Sequence, residues 1–141
     1  MTATAYDLPM NPAYTTAPSP VVAVLGRTGR VAGLAAHLPA GWRLRAAAGL
    51  ADVRPGEIVL IAGATEPDVV AARKRLPRQT SVVALVDADA PAETVADVLT
   101  AGADVCVRGG TPAILAGHLV ACRRRQLTDR WSVLNHNLAA L

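Results

Sequence analysis

The sequence predicts an α/β protein: a five-stranded parallel sheet with helices wound over both faces. Three observations point there. Five short runs rich in apolar residues recur along the chain, bounded by Pro, Gly and polar residues. The stretches between them carry helical spacing, N-cap residues or helix-ending prolines. The 141 residues suit one domain, and 52% of them are hydrophobic, so a core is well supplied. Aromatics make up only 3% and Phe is absent, which makes that core aliphatic.

The first strand is Val21–Leu25, a continuous apolar run between Pro20 and Gly26 that fits burial on both faces. Val31 to Leu38 has apolar residues at helical spacing and stops at Pro39, which predicts a helix. Arg43–Ala47 is a weaker strand. Leu50 to Arg54 is a short helical turn closed by Pro55-Gly56. Ile58–Ala62 is the third strand. Thr65, with Asp68 three residues on, makes a capping box for a helix that ends at Pro77. Ser81–Val86 is the fourth strand, and Pro91 suits the first turn of a helix reaching about Thr100. Val105–Val107 is the fifth strand. Thr111-Pro112 then opens a last helix to about Arg125. Alternation of this kind means a parallel sheet covered on both sides.

The domain itself is thus expected over residues 21–125. Residues 1–20 hold four prolines among Thr, Ala and Ser and read as a flexible arm, with Tyr6, Leu8, Met10 and Tyr14 as its apolar points. Residues 126–141 read as a C-terminal helical extension or linker.

Formal charge is +3, carried almost wholly by Arg, which does not by itself indicate nucleic acid. Arg123, Arg124 and Arg125 read as cations complementing the dipole at a helix C-terminus. Cys106 and Cys122 lack zinc spacing and read as buried free thiols. There is no signal-peptide pattern and no apolar run near the ~20 residues of a membrane span, so a cytoplasmic protein without membrane contact is expected. His37, His118 and His136 have no nucleophile at a telling position, and Ser81 lacks a Gly-x-Ser-x-Gly elbow. No catalytic residue is assigned, no enzymatic activity is expected, and no cofactor or metal is expected.

Ligands of open parallel sheets bind at the carboxyl ends of the strands. The residues there are Gly26, Arg27 and Thr28 after the first strand, then Gly63 and Ala64 after the third. Asp87, Ala88 and Asp89 follow the fourth, and Arg108, Gly109 and Gly110 the fifth.

From Ser81 to Arg125 the pattern is strand, acidic loop, helix, an Ala101-Gly102-Ala103-Asp104 corner, strand, helix. This resembles the back half of response-regulator receiver domains, and the strand rhythm extends the resemblance over about residues 21–125. It implies a flavodoxin- or receiver-like fold with strand order 2-1-3-4-5. In working receivers, acids after the first strand and an Asp ending the third bind Mg²⁺. That Asp accepts the phosphoryl group, and a hydroxyl and a Lys after the fourth and fifth strands contact it. A hard cation needs oxygen ligands and the acceptor must be a nucleophilic carboxylate. Matched by position, these sites fall on Gly26, Ala62 (Gly63 with a one-residue slip), Asp87 and Gly109, none of which keeps the chemistry. Asp87 and Asp89 read as a solvated loop leading into a helix.

The resemblance therefore implies a pseudo-receiver, not phosphorylated, acting through a protein partner or output domain in bacterial signal transduction or transcriptional regulation. Direct nucleic-acid binding is not expected. Ile114, Leu115, Leu119 and Val120 form an apolar stripe that would pair the last helices in a homodimer if exposed. The alternative is a small-ligand or nucleotide sensor in the vacated pocket, lined by Arg27, Gly63, Ala64, Arg108 and Gly110 beside Gly26 and Gly109. Gly26 to Gly33 also resembles the glycine turn of some NADP-binding oxidoreductases, with Arg43 or Arg45 placed for a 2′-phosphate. Leu127-Thr128-Asp129-Arg130 resembles the opening of LuxR-type DNA-binding domains, but the residues after it do not continue that pattern. A complete single-domain protein and a piece ending near a domain boundary both remain open.

Overall fold

The computed structural model describes residues 19–139, with side chains as far as Trp131. The expected arm lies outside the described residues except for Ser19 and Pro20, and so does the side chain of His136. The five strands are β1 Val21–Gly26, β2 Arg43–Ala46, β3 Ile58–Ala62, β4 Val82–Val86 and β5 Val105–Arg108. All neighbours are parallel, in the order β2-β1-β3-β4-β5. The helices are α1 Glu66–Arg75, α2 Ala92–Ala101 and α3 Pro112–Ala139. This is the flavodoxin-like α/β fold the sequence predicts.

Strands β3 and β4 are buried at every residue, which is why they read as unbroken apolar runs. Their side chains alternate between two cores. Leu60, Leu85 and Val107 face α3, where Leu115, Leu119 and Cys122 meet them with Leu34 from the segment after β1. Val59, Ile61, Ala84 and Val86 face Val69 and Ala72 of α1 and Val98 of α2. Each fully buried Leu or Ile is worth about 1.5–3 kcal/mol by leaving water. The capping box at α1 is formed: Thr65 Oγ1 accepts from the Asp68 amide at 3.4 Å, and the Asp68 carboxylate accepts from the Thr65 amide at 3.0 Å.

The structure corrects three expectations. The helix over 31–38 is replaced by two 3-10 turns, Thr28–Val31 and Leu34–His37. Gly33 divides them at φ +83°, and neither turn has a side-chain N-cap. Helix α3 does not stop near Arg125; residues 118–139 contain no Gly or Pro to end it. Arg123, Arg124 and Arg125 consequently lie in mid-helix, not at a helix terminus, and Leu127–Arg130 is one turn of the same helix. Cys122 is a buried thiol, but Cys106 is only half-buried; burial pushes both thiols up from their ordinary range.

Two arginines hold parts that local patterns do not. Between β2 and β3 the chain makes only a 3-10 turn, Leu50–Asp52. Arg45 on β2 pins it: its guanidinium donates to Glu57 Oε2 at 2.9 Å and Oε1 at 2.7 Å, to Asp52 Oδ2 at 3.1 Å and to the Asp52 carbonyl at 2.6 Å. Glu57 is buried, and the Arg45 guanidinium holds its carboxyl below the ordinary range against the pull of burial. Asp52 is also held low, first by the Ala48 amide and then by Arg45. The second is Arg73 on α1. It donates to the carbonyls of Gly102 and Thr80 and to Asp104 Oδ2, at 2.6, 2.8 and 2.7 Å. Asp104 Oδ2 also accepts from the Val82 amide at 2.8 Å. A Cβ on Gly102 would sit 2.5 Å from Arg73 Cγ, so the Ala-Gly-Ala-Asp corner is shaped around this side chain.

Candidate functional site

The carboxyl ends of the strands carry the candidate site. At the tip of β1, Gly26 has φ +85°, and a Cβ there would lie 2.4 Å from the Ala62 carbonyl oxygen. That oxygen also accepts from the Arg27 amide at 3.2 Å. No side chain, acidic or otherwise, fits at Gly26 unless the two strand tips separate. Ala62 is 2% exposed and belongs to the apolar cluster facing α3. At the tip of β5, the Gly109 amide donates to the Val86 carbonyl at 2.8 Å. A Cβ on Gly109 would meet that oxygen at 3.3 Å.

Asp87 is not a merely solvated acid. Its Oδ1 pairs with the Arg30 guanidinium, which reaches it from the 3-10 turn after β1. Asp89 is exposed and makes no hydrogen bond or ion pair among the described residues. The residues matched to the receiver's Mg²⁺ ligands therefore do not fit that ion. Gly26 and Ala62 offer no side-chain oxygen, and Asp87, matched to the hydroxyl position, is paired with Arg30. Among the described residues, no three His, Cys, Asp or Glu side chains gather as a metal site.

The pocket expected as one is two. A cleft of about 460 Å³ is lined by Arg27, Gly63, Ala64, Thr65, Val86, Asp87, Asp89 and Thr94, among others. A smaller cavity of about 150 Å³ takes Arg108, Gly109 and Gly110, with Leu34, Thr111, Pro112 and Leu115 around it. Arg30 lines both, because its side chain runs between them to Asp87. Arg108 Nε donates to the Ala90 carbonyl at 3.1 Å.

Arg30 is the site residue that sequence reasoning missed. A signal was present: Arg27 and Arg30 are three apart beside Gly29, and in a 3-10 turn residues i and i+3 eclipse on one side. A Cβ on Gly63 would lie 3.7 Å from Arg30 Nε and 3.8 Å from Arg27 Cδ, so both stems cross this glycine.

Other expectations change as well. Leu115 and Leu119 of the proposed pairing stripe are 4% and 0% exposed and sit in the core. Ile114 is 55% exposed and Val120 half-buried, so the four do not form one outward face. The 2′-phosphate role fails for both arginines. Arg45 is consumed by Glu57 and Asp52, and Arg43 lies at the amino end of β2, away from the strand tips. His37 and His118 are exposed, and no helix among the described residues is long and apolar enough to cross a membrane. No protein-family model matches this chain, and no curated protein matches it.

Proposed function

We propose that this protein is a non-phosphorylatable pseudo-receiver, an interaction module of bacterial signalling or transcriptional control that works by binding a protein partner or output domain. The observation that carries this reading is the state of the strand tips. The position of the phosphoryl acceptor is Ala62, with its side chain in an apolar cluster, and the position of the first acid is Gly26, where a Cβ would strike the Ala62 carbonyl. The strand order β2-β1-β3-β4-β5 and the Ala-Gly-Ala-Asp corner support the receiver side of the reading. The test is incubation with Mg²⁺ and acetyl phosphate, followed by intact-mass measurement under non-acidic conditions. No mass gain is expected. Stoichiometric addition of one phosphoryl group at any Asp refutes the reading.

A second reading is favoured by the cleft: a small-ligand sensor. Its volume lies in the range of small-molecule sites, and the Arg27 side chain at its wall makes no hydrogen bond or ion pair among the described residues.

A further inference from the structure

The charges of the larger cleft narrow the ligand class. Four charged groups that line it are Arg27 and Arg30 on the β1 side and Asp87 and Asp89 on the β4 side. Arg30 and Asp87 neutralise one another. Arg27 and Asp89 are left, of opposite sign and each without a partner among the described residues. With that pair neutral, a simple anion drawn to Arg27 would face the unpaired Asp89 carboxylate on the other wall, and a simple cation drawn to Asp89 would face the Arg27 guanidinium. A molecule carrying both charges satisfies both walls, and a guanidinium is well suited to grip a carboxylate with two parallel hydrogen bonds.

Resting on the sensor reading, we propose that this cleft binds a small zwitterion of the free amino-acid type, with its carboxylate on Arg27 and its ammonium on Asp89. Gly63 lets the stems of Arg27 and Arg30 lie low over the strand tip, and both residues line the cleft. Val86 and Ala64 supply apolar contact, and the half-buried Thr94 brings a hydroxyl.

The test is a thermal-shift and calorimetry screen of the full chain. Each of the twenty free amino acids is added singly, with sodium phosphate, sodium acetate and methylammonium chloride as single-charge probes. At least one amino acid should raise Tm by roughly 3 °C or more at saturation. Arg27→Gln and Asp89→Asn should each weaken its binding at least tenfold. Asp97→Asn, which removes an exposed carboxylate outside the cleft, should not. If phosphate alone gives a shift that depends on Arg27, or if Asp89→Asn leaves amino-acid binding intact, the zwitterion assignment is overturned while the sensor reading stands. If nothing in the panel binds, the zwitterion assignment falls, and the sensor reading falls with it only if a parallel nucleotide screen also gives no shift.

Discussion

Arg30 and Asp87, 57 residues apart in sequence, form an ion pair across the carboxyl ends of β1 and β4. The pair divides the strand tips into two cavities and neutralises the acid that stands at the hydroxyl position of the receiver pattern. On the proposed pseudo-receiver reading, introducing one acceptor residue would not create a phosphorylation site, because its surroundings do not fit that chemistry.

Ala62→Asp is the direct check. A carboxylate at this position enters the apolar cluster that holds Leu60, Leu85 and Val107. Destabilisation of about 3 kcal/mol is expected in urea unfolding, from desolvation of an unsatisfied polar group. Acetyl phosphate with Mg²⁺ should still leave the variant unmodified by mass.

Gly26→Ala probes the steric closure at β1. The new Cβ falls 2.4 Å from a backbone oxygen, on a residue already at φ +85°. A loss of about 2 kcal/mol or more is expected by denaturant titration. A neutral result would mean that the strand tips can part and that an acid could be accommodated there.

Two leucine-like positions on α3 separate core from surface. Leu119 is fully buried, and Leu119→Ala should cost about 2–5 kcal/mol by transfer and cavity effects. Ile114 is 55% exposed, and Ile114→Ala should change stability by no more than about 0.5 kcal/mol. If unfolding of the unaltered protein depends on protein concentration and Ile114→Ala removes that dependence, the residue is part of a dimer contact.

Acid should loosen the β2–β3 link before the rest of the sheet. Glu57 and Asp52 are both held below their ordinary values of 4.5 and 3.8 in the folded protein. A depressed carboxylate adds stability that is complete above its unfolded value and is lost as pH falls through its folded value. Tm should therefore be insensitive to these groups above about pH 6 and decline below about pH 4.5. In Glu57→Gln that decline should be shallower, whatever the starting Tm. A decline of unchanged steepness would assign the acid sensitivity to other carboxylates.

The architecture was legible where local chemistry decides it. Ile58–Ala62 and Ser81–Val86 read as strands because apolar residues run through them without a break after Ser81, and Thr65 with Asp68 marked the start of α1. It was illegible where the choice is shallow or distant. The spacing of Val31, Leu34 and Leu38 fits an α-helix as well as 3-10 turns, and Gly29 and Gly33 tip the balance. The site was half legible. Glycine and alanine at the receiver positions could be read directly, but Arg30 reaching Asp87 and Arg45 reaching Glu57 follow from the sheet order, which brings distant residues together.

Helix α3 holds a last consequence. Among the described side chains Cys122 is its last fully buried one, and the helix runs on to Ala139, about 25 Å farther at 1.5 Å per residue. Its opposite end, at Pro112 and Leu115, walls the smaller cavity beside Arg30. If the helix tilts as one rod, it acts as a lever with its short arm at the strand tips. A tilt of roughly 5° there would sweep the far end through about 2 Å over that length. Whatever grips the long arm would feel events at the sheet without touching it.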